Sequence, residues 1–154
     1  MSTKEVLNLV EKVKKSFPTY KFYAVGSWVM KNPNFKDYDI SIVPPQGKRN
    51  PSNIKEWSKL LKRFNNKEFN GKKIDAQILP SFNKLLKMDA QEIKKRKNNI
   101  YFRFFYSEGK KAPKTSALKV IKLKNNMWMS ITKVVPDKIR ARNLDNSIIH
   151  YKEL

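Results

Sequence analysis

The sequence contains no cysteine, a single histidine and only four glycines among its 154 residues. Without cysteine the chain forms no disulfide and offers no thiolate to a zinc site. Its apolar runs are all shorter than the roughly 18 residues that indicate a membrane-spanning helix. The first residues, Met1 to Glu5, lack the apolar stretch of a secretory signal. We therefore expect a soluble, intracellular protein of the cytoplasm or nucleus, neither secreted nor associated with a membrane.

Acidic residues are also scarce, with 13 Asp and Glu against 34 Lys and Arg, for a formal net charge of +21. Both halves of the chain contribute, since residues 80–154 alone carry 18 cations and 6 anions. A field of this size attracts polyanions, of which nucleic acid is the usual one. An AT-rich genome is a competing explanation, because 28 of the cations are Lys. We predict a monomer that binds nucleic acid, DNA in preference to RNA.

Hydrophobic periodicity predicts an α+β chain with short strands between helices. Two helices are expected, one capped by Thr3 and ending before Pro18, the other capped by Ser52. An Asn70-Gly71 turn signal predicts a hairpin that ends before a domain boundary at Pro80. Other predicted elements are strands at 20–25, 37–43 and 100–106, a basic helix around 82–97, and a hairpin of 118–123 with 127–135.

Three carboxylates occur within these predicted strands. Asp37 and Asp39 are two residues apart, so both side chains point to one side of their strand. Asp75 lies in another apolar run, on the face opposite Ile74. Like charges this close are unfavourable unless a cation lies between them, and carboxylate oxygens suit Mg²⁺ or Mn²⁺. The three acids therefore predict a site for two such ions, which would clamp the attacking and leaving oxygens of a phosphoryl transfer.

Gly26-Ser27 ends the strand before Asp37 and predicts a phosphate-binding turn. A glycine lets the backbone approach a phosphate closely, while the Ser27 hydroxyl and the amides of a short helical turn donate hydrogen bonds. Each element alone is a weak signal, because most Asp-x-Asp pairs end a solvated strand and most Gly-Ser pairs are simple turns. Together with Asp75, the combination favours nucleotide chemistry.

The motif of Gly26-Ser27, the nine-residue gap, Asp37-x-Asp39 and Asp75 resembles the nucleotidyltransferase superfamily headed by DNA polymerase beta, and is most similar to minimal family X DNA polymerases. The resemblance covers residues 20–79 and is thin beyond Pro80. It implies a palm with a mixed sheet flanked by helices in residues 1–80, and a small basic carboxy-terminal lobe in 81–154 that contacts nucleic acid and nucleotide. It also implies that Asp37 and Asp39 hold both metal ions, Asp75 holds one, and Gly26-Ser27 holds the triphosphate.

The chain departs from this family beside the phosphate turn. Family X members carry arginines just after Gly-Ser, whereas this chain has Trp28, Val29 and Met30. Lys31 or Lys36 would supply nucleotide-binding charge instead, although lysine lacks the bidentate fork of arginine. Further along, basic residues are candidates for nucleic-acid contacts: Lys94, Lys95, Arg96, Lys97 and Arg103.

These residues predict a metal-dependent nucleotidyltransferase that adds nucleotides from a triphosphate to the 3′-hydroxyl of a nucleic acid. A gap-filling, family X-like DNA repair polymerase is its most concrete form. A template-independent transferase acting on RNA or tRNA ends is an alternative, and a catalytically silent nucleic-acid-binding subunit is another. A transferase for small substrates shares the motif but has little use for so much positive charge.

Overall fold

A computed structural model of the protein describes residues 2–29, 34–82, 100–108, 119–133, 142–143, 147–148 and 151–154. The chain divides into two compact units, one of Met1–Ile78 with His150–Leu154 and one of Leu79–Ile149. The boundary lies two residues from Pro80, but the last five residues join the first unit instead of the carboxy-terminal lobe. Among the described residues, no helix has the length and apolar character needed to span a bilayer.

The described strands, in chain order, are β1 Lys21–Val25, β2 Asp37–Val43, β3 Glu68–Phe69, β4 Lys72–Phe82, β5 Ile100–Tyr106, β6 Lys119–Lys122, β7 Met127–Lys133, β8 Arg142–Asn143, β9 Ser147–Ile148 and β10 Tyr151–Glu153. In the first unit β1 pairs antiparallel with both β10 and β2, while β2 pairs parallel with β4. This mixed sheet, accompanied by few helices, confirms the expected α+β class. The nucleotidyltransferase palm stays a prediction.

Two helices belong to the first unit, α1 Ser2–Ser16 and α2 Ile54–Lys62. Each buries an apolar stripe at helical spacing, as the sequence predicted. The predicted cap of α2 was wrong. The Asn50 side chain accepts a hydrogen bond from the Ser52 amide, and a 3₁₀ turn then leads into the helix. The buried stripes contain Val6, Val10 and Val13 in α1, and Trp57, Leu60 and Leu61 in α2.

Alternation along the strands divides the sheet of the first unit into an apolar and a polar face. The apolar face is formed by fully buried side chains, including Phe22, Ile40 and Ala76. The Phe22 ring lies 6.0 Å from the ring of Phe64, just after α2, so this helix covers the apolar face. The odd-numbered residues of β2 and β4 therefore point to the other side, which carries the three acids.

The hairpin of β3 and β4 turns at Asn70-Gly71, as predicted. Both residues have positive φ, 52° and 75°, which is the backbone of the hairpin turns that favour Asn-Gly. The following strand, however, continues through Pro80 to Phe82. The sequence placed the start of a basic helix at this point, but Phe82 is in β4 and residues 83–99 lie outside the described part.

The second unit contains the antiparallel strands β5, β7 and β6, with β7 paired to both others. Asn125 and Asn126 have positive φ between β6 and β7, so the predicted turn is confirmed. Phe105 stacks on Trp128 at 6.4 Å between ring centroids. The short strands β8 and β9 pair with each other.

A polar cluster joins α2 to the start of β1 in the first unit. Glu56 accepts a hydrogen bond from the Lys48 ammonium and another from the Tyr20 hydroxyl, both at 2.9 Å. The Lys48 bond is the main reason that the pKa of Glu56 is lowered from 4.5. Burial and the Glu56 carboxylate together raise the pKa of Tyr20. The ionised form of Glu56 is therefore the one that the fold stabilises.

We expect Glu56→Gln to lower the free energy of unfolding by about 1 kcal/mol at neutral pH, since the Lys48 side chain is 44% exposed and solvent weakens the pair. Because folding lowers the pKa of Glu56, this stabilisation is present above pH 4.5 and is lost as the pH falls through the folded-state pKa. Urea unfolding of both proteins across this range measures it. A difference that stays the same at pH 3 and pH 7 contradicts the assignment.

Candidate functional site

The parallel register of β2 and β4 places Asp39 directly opposite Asp75. Residues in register on adjacent strands point to the same side, so both carboxylates lie on the polar face. Both side chains are partly exposed, whereas their chain neighbours Ile40 and Ile74 are buried. Two acids predicted from separate strands are therefore direct cross-strand neighbours.

Gly26 brings the backbone of the predicted phosphate turn against the same carboxylate. On the antiparallel side of β2, Val25 is in register with Asp39, so the chain leaves β1 beside this acid. Gly26 has a φ of +76°, and a Cβ atom added there would stand 2.6 Å from Asp39 Oδ2. Only glycine fits this approach without displacing the carboxylate or the turn.

Ser27 lies in the 3₁₀ turn Gly26–Trp28 that starts at this glycine. The turn is closed by the Val29 amide, which donates to the Gly26 carbonyl at 3.1 Å. Ser27 is partly exposed and Gly26 is exposed. The predicted Gly-Ser turn and the carboxylates of β2 and β4 thus lie near one another, at the point where β1 ends and β2 begins.

Asp37 lies two residues before Asp39 on the same side of β2, and its side chain is exposed. Its partner in the parallel register is Lys73, not a third acid. Lys73 was not among the predicted site residues, although its position carried a signal: it precedes Asp75 by two residues, so strand alternation puts it on the polar face. Of the two predicted nucleotide-binding lysines, Lys36 is exposed beside Asp37, and Lys31 lies outside the described residues.

The carboxylates of this site supply only part of the ligands that a divalent cation such as Mg²⁺ would need. The described segments contain no group of three or more His, Cys, Asp or Glu side chains placed to hold a metal ion. Asp39 and Asp75 nevertheless form a cross-strand pair of like charges, an arrangement that a bound Mg²⁺ or Mn²⁺ would stabilise. The convergence of Asp37 with this pair stays a prediction.

A second pair of polar residues lies on the same face, two residues further along β2 and β4. Ser41 is in register with Gln77 on β4 and with Tyr23 on β1. Gln77 Nε2 donates to Ser41 Oγ at 3.3 Å, and Ser41 is only 2% exposed. The polar face is therefore buried at this row and more open at the row of Asp39 and Asp75.

Aromatic side chains on either side of the undescribed residues 30–33 pack against β2. The Trp28 and Phe35 rings each meet the buried Tyr38 ring edge-on, at 5.1 and 5.2 Å between centroids. Lys72 Nζ lies 3.6 Å from the centre of the Phe35 ring, a cation–π contact. Trp28, which follows Ser27 directly, thus packs on Tyr38, the β2 residue between Asp37 and Asp39.

The predicted nucleic-acid contacts are only partly located. Lys94, Lys95, Arg96 and Lys97 lie outside the described residues. Arg103 belongs to β5, where its backbone is in register with Ser130, but its side chain is not among those described. Their role stays a prediction.

Comparison of the chain with models of protein families, with curated proteins and with solved structures found no match.

Proposed function

We propose that the protein is a metal-dependent nucleotidyltransferase, most similar in design to a minimal family X DNA polymerase. The observation that carries the proposal is the register of Asp39 with Asp75, together with the close passage of Gly26 against Asp39 Oδ2. A carboxylate pair beside a glycine turn unites ligands for a divalent cation with backbone that can approach a phosphate. Metal ligands and a phosphate-binding backbone are two of the recurring parts of phosphoryl-transfer sites.

In this proposal each residue of the site has a defined task. Asp39 and Asp75 hold the divalent ions, and Asp37 joins them from the exposed end of β2. Two bound ions would polarise the phosphoryl oxygens and favour ionisation of the attacking hydroxyl. Asp75 accepts the proton of the 3′-hydroxyl. The backbone and hydroxyl of Gly26-Ser27 hold the phosphates of the incoming nucleotide.

Two exposed lysines near Asp37 fit the charge of the substrates. Lys73 stands opposite Asp37, and Lys36 precedes Asp37 in the chain; both side chains are exposed. Each would act as a point charge for a phosphate, in a chain that lacks arginines after Gly-Ser. The net charge of +21 favours a polyanionic substrate over a small neutral one.

The direct test is incorporation of each labelled ribo- and deoxynucleotide into three substrates: a gapped duplex, a recessed primer and a single strand, with Mg²⁺ or Mn²⁺. We expect metal-dependent addition to the gapped duplex that follows the template base, with release of pyrophosphate. Untemplated addition to single-stranded RNA would identify the template-independent transferase instead. Tight, salt-sensitive binding without incorporation under any of these conditions would show a silent binding subunit and overturn the proposal.

A further inference from the structure

The carboxyl ends of α1 and α2 meet on the helix-covered side of the first unit. Arg63 Nη1 donates to Ser16 Oγ at 3.4 Å, which joins the residue after α2 to the last residue of α1. Phe64, next to Arg63, packs on Phe22 of the apolar face. This junction therefore lies on the side of the sheet opposite to Asp39 and Asp75.

Cations flank this junction on both helices. Lys12 precedes Ser16 by one helical turn, and Lys15 lies one turn from Lys12 on the outer surface. Lys59 precedes Arg63 by one turn in the same way. The three lysines are exposed, and Arg63 is partly exposed. We call Lys12, Lys15, Lys59 and Arg63 the helix-end cluster.

The helix dipole explains a cation at either helix end taken alone, because the carboxyl end of a helix carries a partial negative charge. The dipole does not explain why each helix carries two cations one turn apart, since like charges at this spacing repel. Nor does it explain why two positively charged helix ends lie next to each other. Of the three acids on these two helices, Glu11 pairs with Lys14 at 3.4 Å, and Glu56 accepts bonds from Lys48 and Tyr20 while also interacting with the charge of Lys59. The third, Glu5, lies in the first turn of α1, far from the junction. Such a concentration of positive charge is relieved when an anion binds.

We infer that the helix-end cluster is a binding surface for the phosphate backbone of a nucleic-acid duplex, separate from the carboxylate face. The partner must present closely spaced negative charges, and a duplex carries one for about every 1.7 Å of its axis. Lysine dominates the cluster, which suits contacts with phosphates that do not read sequence. The surface would hold a stretch of duplex that does not enter the site of Asp39 and Asp75.

The test measures binding of a fluorescent duplex of about 20 base pairs to the full chain from 50 to 200 mM salt, in EDTA and without nucleotide. The variant carries Lys12→Gln, Lys15→Gln and Lys59→Gln. The matched control carries Lys4→Gln, Lys21→Gln and Lys152→Gln, three exposed lysines outside the cluster. Because no metal or nucleotide is present, failure here is distinct from failure of the proposed reaction.

We expect the cluster variant to bind at least about tenfold more weakly than the control, with a salt slope reduced by about 2 to 3, since each phosphate that is no longer neutralised lowers the slope by about 0.9. A companion with Lys→Arg at the same three positions keeps the charge, so it should retain wild-type binding and reveals any loss caused by misfolding. Equal weakening in the cluster variant and the control would overturn the inference, because net charge alone would then explain binding.

Discussion

Replacing Asp39 with Asn is expected to lower nucleotide incorporation at least about a thousandfold, equivalent to a barrier increase of about 4 kcal/mol. Asn keeps the shape of the side chain but removes the negative charge that would hold a divalent ion between β2 and β4. Single-turnover incorporation at saturating nucleotide measures the loss. DNA binding in EDTA should stay within about twofold, because one charge among so many contributes little to it.

The cross-strand register makes this prediction sharper. If Asp39 and Asp75 hold ions together, Asp75→Asn should lose activity to a similar extent, and the double variant should be no worse than either single variant. Glu5→Gln, the same change of charge at an exposed position of α1, is the control and should keep wild-type activity. An Asp39→Asn protein that works within tenfold of wild type would show that this pair is not the reaction centre.

An independent readout comes from metal binding to the folded protein. A ligand that binds only the native state stabilises it by about 2.7 kcal/mol at a hundredfold excess over its dissociation constant. Mn²⁺ should therefore raise the melting temperature of the wild-type protein and of Glu5→Gln, but not that of Asp39→Asn. Equal melting shifts in all three proteins would place the metal ion elsewhere in the chain.

Local patterns in the sequence were sufficient for the elements that carry the site. Alternation in β2 put Asp37 and Asp39 on one face, and Asn70-Gly71 specified its own turn. The predicted cap of α2 was wrong because a 3₁₀ turn comes before the helix: Asn50 caps that turn, and Asn53, at the start of α2, makes no side-chain cap bond.

The pairing of strands could not be predicted from local patterns, because it joins segments that are far apart in the chain. Alternation shows which face Asp75 occupies but not which residue of β2 lies opposite, and a shift of two residues would put it beside Asp37. The short strand β10 pairs with β1 across more than a hundred residues and carries no periodic signal of its own. Lys73 was missed for the same reason: its alternation was visible, but its partner was not.

Replacing Gly26 with Ala is expected to reduce incorporation about a hundredfold or more and to lower the free energy of unfolding by about 1 to 2 kcal/mol. Two effects combine here. The φ of +76° is unfavourable for any residue with a Cβ, and the added atom would stand 2.6 Å from Asp39 Oδ2, so the carboxylate must move. Incorporation kinetics and urea unfolding measure the two losses separately.

Two other glycines separate these effects. Gly71 has a φ of +75° with open space around it, so Gly71→Ala carries the backbone strain alone: stability falls by about 1 kcal/mol and activity is kept. Gly47 has neither the positive φ nor a neighbour within 4 Å, and Gly47→Ala should be neutral. If Gly26→Ala behaves like Gly71→Ala in both measurements, the close approach to Asp39 has no role in the reaction.

A double-mutant cycle tests whether the Asp39 carboxylate is the group that the added Cβ atom meets. In an Asp39→Ala background the atom that meets the new Cβ is gone, so Gly26→Ala should cost only the strain seen at Gly71. The difference between the two backgrounds is the coupling between the phosphate turn and the carboxylate, measured without any assay of activity. A coupling of zero would mean that the Asp39 carboxylate gives way to the added atom at no cost, so that the close approach of Gly26 does not constrain the position of the carboxylate.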